Sequence, residues 1–323
     1  MVVKCQPATL NYMKINFISI VAPVFNEEEV IEEFYNRTRA MLLDCAFAYE
    51  ILFIDDGSTD QSLRIIQKIN IRDPNVKCLS FSRNFGHASA ISAGLDHAEG
   101  DVVVIIDADL QDPPEVLPLF FEKWREGYKV IYGVRAKRKE WLVKKFAYWV
   151  FYRLFQRLAS LENAPLDAGD FSALDRSMVI QLRSMPERNR FLRGMRSWVG
   201  HRQCGVVYER AQRFAGRTKY SFRKLVKLAF DGIFSFSYIP LRLATFFGLF
   251  VAAVSFLSIL AILYLRLARG IIGIPGFSST IITILFIGAV QLISIGILGE
   301  YVGRIYDEVK QRPTYIIKDK IGF

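Results

Sequence analysis

The chain has 323 residues, enough for one sizeable globular domain and an appendage; 52% are hydrophobic, with the excess gathered late in the sequence. A formal charge of +10 points to an anionic partner: nucleic acid, acidic lipid or a phosphate-bearing substrate. Cys5, Cys45, Cys78 and Cys204 lie too far apart for C-x-x-C spacing, which excludes a metal knuckle and predicts reduced thiols facing a cytosol.

Residues 1–15 read as a polar leader. Met1 to Lys14 has no signal-peptide-like apolar run, and Met13 is a candidate alternative start. Residues 16–215 predict a cytosolic α/β domain. Its strands are the β-branched or aliphatic runs Phe17–Val24, Ile51–Ile54, Val76–Phe81, Val102–Ile106 and Val130–Tyr132. Helix-like stretches separate them. Asn26, followed by Glu27 to Glu29, predicts a cap and an acidic first turn, and Ser58 with Asp60 predicts the same for the next helix. Such alternation predicts a mostly parallel sheet with helices on both faces, whose ligands sit beyond the carboxyl ends of the strands.

Beyond Arg135 the chain turns basic and aromatic, with Lys137 to Lys145 interleaved with Trp141, Phe146 and Trp149. Residues 216–240 repeat the mixture, with Lys219, Arg223, Lys224 and Lys227 among Phe222, Phe230 and Phe234. Cations beside aromatics predict interfacial amphipathic helices on anionic lipid. Within residues 241–304, two uncharged runs near 243–265 and 280–299 are long enough to cross a bilayer, joined by a turn at Gly273-Ile274-Pro275-Gly276. The cationic flanks place both termini, including the tail 305–323, on the cytoplasmic face of the inner or plasma membrane. Because the basic residues flank spans instead of forming a free patch, a nucleic-acid partner is not expected. Gly288, Ala289, Gly296 and Gly299 would allow close packing of spans, including those of a homo-oligomer.

Chemistry concentrates at strand ends. Asp107-Ala108-Asp109 follows the fourth strand, and carboxylates two apart in extended chain point the same way. They can hold a hard divalent cation shared with a substrate diphosphate. The first strand leads into Pro23-Val24-Phe25-Asn26-Glu27 and the second into Asp55-Asp56-Gly57-Ser58. No Gly-x-Gly-x-x-Gly or Walker loop follows the first strand, so a nucleotide here is not held in a glycine cradle. Plainer roles compete: Asp55 and Asp56 as helix caps, and His87, His97 and His201 as ordinary surface or core histidines.

Together, Ala22-Pro23-Val24-Phe25-Asn26-Glu27, Asp55-Asp56-Gly57-Ser58, Ser82-Arg83-Asn84-Phe85-Gly86 and Asp107-Ala108-Asp109-Leu110-Gln111-Asp112-Pro113-Pro114-Glu115 resemble the family 2 GT-A glycosyltransferases. The likeness is to the polyprenyl-phosphate branch, which includes dolichyl-phosphate mannose synthases and bacterial polyisoprenyl-phosphate glucosyltransferases. It runs from about Phe17 to Pro313. It implies a GT-A (Rossmann-like) fold with a two-helix transmembrane hairpin. The implied enzyme is an inverting hexosyltransferase using Mg2+ or Mn2+, with UDP-glucose as donor and undecaprenyl phosphate as acceptor. GDP-mannose, an amino-arabinose nucleotide and a non-catalytic nucleotide-sugar sensor stay open as alternatives. A processive synthase would carry Gln-x-x-Arg-Trp, a frame that Arg196-Ser197-Trp198 lacks.

The resemblance also implies roles. Pro23, Phe25 and Glu27 would line the base and ribose pocket, and Asp56 would hold base or ribose. Asp107, Asp109 and Gln111 would bind the metal, and Arg135 would lie near the phosphates. Asp170 would sit beside sugar and acceptor, with Arg213 and Lys219 closing on the diphosphate. The chain departs from the branch at Ser172-Ala173, where Arg-Leu is usual, and at Ala215 in the closing loop.

Overall fold

The structure is a computed structural model that describes residues 15–136, 168–188, 190, 192–210, 239–269 and 276–323. Eight strands form one sheet: β1 Phe17–Val24, β2 Ala48–Asp55, β3 Val76–Phe81, β4 Val102–Ile105, β5 Val130–Arg135, β6 Ala168–Asp175, β7 Gln203–Tyr208 and β8 Ile317–Ile321. Their order is β7-β5-β6-β4-β1-β2-β3-β8. The centre, β4-β1-β2-β3, is parallel; β6 and β8 run antiparallel to their neighbours, and β5 pairs with β7 in parallel. This is the mostly parallel sheet the alternation predicts, with three strands, β6 to β8, that the apolar runs do not mark.

Side chains alternate across the strands. Ile18, Ile20, Ala22 and Val24 of β1 face helices α1 Ile31–Asp44, α2 Ser62–Arg72 and α4 Leu117–Arg125. Val21 of β1, Leu52 and Ile54 of β2 face α3 His87–His97, α5 Arg176–Ser184 and α6 Leu192–Trp198. Helices therefore cover both faces. The one polar position inside β1, Ser19, is fully buried because its hydroxyl donates to Glu50 Oε1 at 2.5 Å and accepts from the amide of Gly100. A Cβ on Gly100 would stand 2.5 Å from the Ser19 amide nitrogen, so the close approach requires glycine.

Two helices end the chain, α7 Ile239–Arg269 and α8 Phe277–Lys310, of 31 and 34 residues. At about 1.5 Å per residue they are roughly 46 and 51 Å long, against an apolar bilayer core of about 30 Å. Both carry stretches apolar enough to cross a membrane, Leu241–Ser258 and Thr280–Lys310. The rings of Phe247 and Phe286 approach to 6.5 Å between α7 and α8. A Cβ on Gly288, Gly296 or Gly299 would meet nothing within 4 Å, so the described packing of α7 on α8 does not use those small residues.

Candidate active site

The parallel strands end on one edge, and the loops there are knitted by polar side chains. Asn26 does not cap α1, which starts only at Ile31. Its backbone takes a φ of 54°, its amide donates to Ser58 Oγ, and its Oδ1 accepts from the Thr59 amide at 2.8 Å. The helix-cap expectation fails because the polar cluster serves the neighbouring loop. Asp60 does act near a helix start: Oδ1 accepts from the Ser62 amide and Oδ2 from that of Glu28. Pro23 is the penultimate residue of β1, Phe25 follows the strand, and the Glu27 amide donates to Ser62 Oγ at the start of α2. Asp55 is buried and accepts from the Ser58 amide and Ser80 Oγ, which ties the loop to β3 and does not cap α2, whose start at Ser62 lies beyond its bonds.

Asp56 has a different use. Its carboxylate accepts from the amides of Phe85 at 2.6 Å and Gly86 at 2.9 Å, tying the end of β2 to the loop before α3. Burial raises its pKa, partly offset by these amides. Gly57, with φ of 70°, lets that loop come close: a Cβ there would lie 2.5 Å from the carbonyl carbon of Arg83.

Beyond β4, Asp107 and Asp109 lie on a turn in which Leu110 has a φ of 58°. Asp109 Oδ1 accepts from the Gln111 amide at 3.1 Å. Because β6 is antiparallel to β4, with Ile105 opposite Ser172, the first residues of β6 arrive at the same edge and place Asp170 near Asp107. His87, the first residue of α3, stands between them, with Nε2 3.6 Å from Asp107 Oδ1 and 3.7 Å from Asp170 Oδ2. Arg193 from α6 grips Asp170 with two parallel bonds of 3.0 Å, from Nε and Nη2. Beside it Arg196 is buried and donates to the carbonyl of Gly169 at 3.1 Å.

The electrostatics follow from this crowding. Burial raises the pKa of Asp107; His87 opposes the rise, and the charges of Asp170, Asp109 and Asp112 add to it. Burial works against ionisation of Asp170 too, yet Arg193 and His87 hold it well below the usual carboxylate range. Burial would lower His87, but Asp107 and Asp170 raise it to about 9. Burial brings Arg196 down to about 10.

Arg135, at the end of β5, lies with Nη2 4.0 Å from Asp112 Oδ2. Asp112 is buried, accepts the Tyr208 hydroxyl and sits 3.5 Å from Arg210 Nε. Arg213 and Lys219 lie outside the described residues, as do the leader before residue 15, the basic-aromatic stretch 137–167, most of the juxtamembrane segment and the turn 270–275. The sequence marks His87 as an ordinary histidine, gives Arg193 no role and brings in Arg196 only for the Gln-x-x-Arg-Trp frame it does not fit. The available signal was His87's place directly after Ser82-Arg83-Asn84-Phe85-Gly86; nothing local marks the two arginines, which reach Asp170 only through the fold.

Among the described residues no three His, Cys, Asp or Glu side chains form a group fit to hold a metal ion alone. The set Asp107, Asp109 and Gln111 is oxygen-only and incomplete, which suits a hard cation completed by substrate oxygens and water. Burial raises Asp107 and the neighbouring carboxylates add to the rise, and a cation there would favour the ionised form against both.

Residues 19–183 match the sequence model of glycosyl transferase family 2. The chain is 46% identical over 305 residues to the uncharacterized glycosyltransferase YkcC of Bacillus subtilis, covering 94% of both chains. It is 47% identical over 303 residues to the SfII prophage-derived bactoprenol glucosyl transferase of Shigella flexneri, covering 93% of this chain and 97% of that one. A crystal structure of glucosyl-3-phosphoglycerate synthase from Mycobacterium tuberculosis, in complex with Mn2+, uridine-diphosphate and glucosyl-3-phosphoglycerate, aligns with a TM-score of 0.46 and 21% identity, covering 68% of this chain and 78% of that one. With a mostly parallel sheet covered on both faces and an acidic turn after its fourth strand, this chain belongs to glycosyl transferase family 2.

Proposed function

We propose that the protein transfers glucose from UDP-glucose to a polyprenyl phosphate, undecaprenyl phosphate, at the cytoplasmic face of the plasma membrane, with inversion at the anomeric carbon. The observation that carries this reading is the near full-length likeness to bactoprenol glucosyl transferases, which takes in the two apolar helices as well as the sheet. The sidedness is supported by β8. It follows α8 and yet pairs with β3 of the catalytic sheet, so the tail lies with the catalytic domain.

The edge has the dimensions of the donor. β1 adjoins β4 and β2 lies next, so Pro23, Phe25, Glu27 and Asp56 fall about 5–10 Å across the sheet from Asp107. That is the scale of a nucleoside diphosphate, with base and ribose over β1 and β2 and phosphates over β4. Asp107, Asp109 and Gln111 would hold Mg2+ or Mn2+. When bound, the cation supplies charge neutralisation for the departing nucleoside diphosphate. Arg135 lies at the same edge, and Arg213 and Lys219 add positive charge to the leaving group.

Asp170 is fixed as an anion by Arg193 and His87. A carboxylate held so far below neutral pH is a weak base, and the reaction does not need a strong one. A phosphate monoester has its second pKa near about 6 and is largely dianionic at cytosolic pH. Asp170 therefore orients sugar hydroxyls and leaves the acceptor oxygen to attack from the face opposite the leaving group.

The test is a donor screen with purified full-length protein in vesicles containing undecaprenyl phosphate, offered labelled UDP-glucose, GDP-mannose or a UDP-amino-arabinose. Labelled lipid is expected with UDP-glucose. Labelling only from another donor would correct the sugar, and none from any donor would overturn the reading.

A further inference from the structure

The tail beyond α8 does more than cover an edge. The helix ends at Lys310, with Gln311 at a φ of 47°. The junction is held to the catalytic domain: the Arg188 amide donates to Glu308 Oε1 at 2.8 Å, and its guanidinium donates to the carbonyl of Arg312. Tyr315 then stacks on Phe81, the last residue of β3, with ring centroids 5.2 Å apart and planes 11° from parallel. Its hydroxyl donates to Asp96 of α3 at 2.9 Å. The next residue, Ile316, accepts from the Ser82 amide at 3.0 Å, and β8 runs antiparallel along β3.

Those contacts converge on the loop that feeds the active edge. Phe81 packs edge-on against Phe85 at 5.8 Å, and Arg83 lies 4.0 Å over the Phe85 ring. The Phe85 and Gly86 amides are the donors to Asp56, and His87 follows at once. Tyr315 thus touches α3 through Asp96 and the loop before α3 through Phe81, on both sides of His87. An edge cover alone would need only the backbone ladder of β8.

We propose that Tyr315 is a positioning residue for the active site, through which the second membrane helix sets the loop Ser82–Gly86 and so the placement of Asp56 and His87. This rests on the reading of that edge as the donor site. The anchor and the catalytic edge then form one mechanical unit, and the donor side of the reaction depends on a residue in the C-terminal tail.

The experiment compares wild type, Tyr315→Ala and Tyr315→Phe as full chains in nanodiscs. Hydrogen exchange is read over peptides spanning 82–88, alongside steady-state kinetics with UDP-glucose and undecaprenyl phosphate varied separately. Tyr315→Ala should speed exchange in 82–88 about tenfold and lower kcat/KM for the donor about tenfold, with the lipid KM within about twofold. Tyr315→Phe keeps the stack and should recover most of both. If Tyr315→Ala does not insert, Tyr315→Leu keeps bulk without stacking and should give the same pattern. Unchanged exchange in 82–88, or an effect confined to the lipid KM, would overturn the proposal. Wild type inactive with every donor would instead overturn the functional reading, while the exchange comparison would still decide whether Tyr315 holds the loop.

Discussion

Asp109 is only 8% exposed, and its Oδ1 already accepts from the Gln111 amide, so its carboxylate is pre-set by the turn and would pay little ordering cost in the proposed metal site. Asp109→Ala should reduce kcat about 10²–10³-fold, as for loss of one preorganised electrostatic group, while membrane insertion is unchanged. Mn2+ titration by electron paramagnetic resonance checks the cause: the variant should bind the ion more weakly, and full wild-type turnover in excess chelator would refute the metal role. Arg193 makes a sharper case. Its planar fork meets Asp170 at two bonds of 3.0 Å, which a lysine cannot reproduce. Arg193→Lys should therefore lose about tenfold or more in kcat/KM, most of the loss of Arg193→Ala; full recovery by lysine would show that charge alone suffices. The acidic turn was readable from the sequence because Asp107 and Asp109 follow an apolar strand within a few residues. Arg193 was not, since it stands 23 positions from Asp170 and meets it only when α6 packs beside β6.

Legibility at the level of elements follows the same division between local and distant partners. The runs Phe17–Val24 and Val76–Phe81 coincide with β1 and β3, in which apolar residues outnumber polar ones and most positions are buried. The run Ile51–Ile54 falls short of β2, Ala48–Asp55, because Glu50 reads as polar, yet it is buried between Ser19 Oγ and Lys77 Nζ. β6 reads as Ala-Gly-Asp-Phe-Ser-Ala-Leu-Asp and shows no strand signal of its own; its position between β4 and β5 makes it one. At its end Asp175 caps α5 through the Ser177 amide, accepts from Trp124 Nε1 at 2.8 Å and pairs with Lys129 at 3.0 Å. Burial opposes its charge, but the Ser177 and Lys129 bonds lower its pKa below the usual value. A depressed carboxylate stabilises the fold above its unfolded pKa, about 3.9, and that stabilisation is lost as pH falls through the lower folded value. Asp175→Ala should cost about 2–4 kcal/mol at pH 7, from a lost cap, the buried Trp124 indole N–H left without its acceptor and the half-buried Lys129 left without its ion partner. Thermal melts should show the gap to wild type narrowing below pH 4, and a gap that widens there would contradict the assignment.

The membrane helices and the sheet constrain each other across the whole molecule. α8 exceeds the roughly 30 Å apolar core by about 20 Å, and the charged residues Glu300, Arg304, Asp307, Glu308 and Lys310 gather in its last third. Arg304 pairs with Glu300 one turn earlier at 3.1 Å, the kind of pair that suits helix in water or headgroups. We therefore propose that the apolar run 280–299 is the part of α8 that spans. The remaining turns, to Lys310, form a stalk of about 16 Å whose last turn sets Glu308 against Arg188 of the catalytic domain. With β8 in the catalytic sheet, the residues after the span cannot lie across a bilayer from β3. Reporter fusions after Phe323 and at Gly276, beside the turn between the helices, should report opposite sides of the membrane, the first cytoplasmic and the second not. Both fusions on one side would break the hairpin, and with it the proposed approach of a lipid phosphate to Asp170. A second measurement tests the stalk: inserting two residues after Glu300 rotates all that follows by about 200° and lengthens the helix by about 3 Å. The insertion should detach Glu308 from Arg188 and lower transfer to the lipid while both reporters keep their sides.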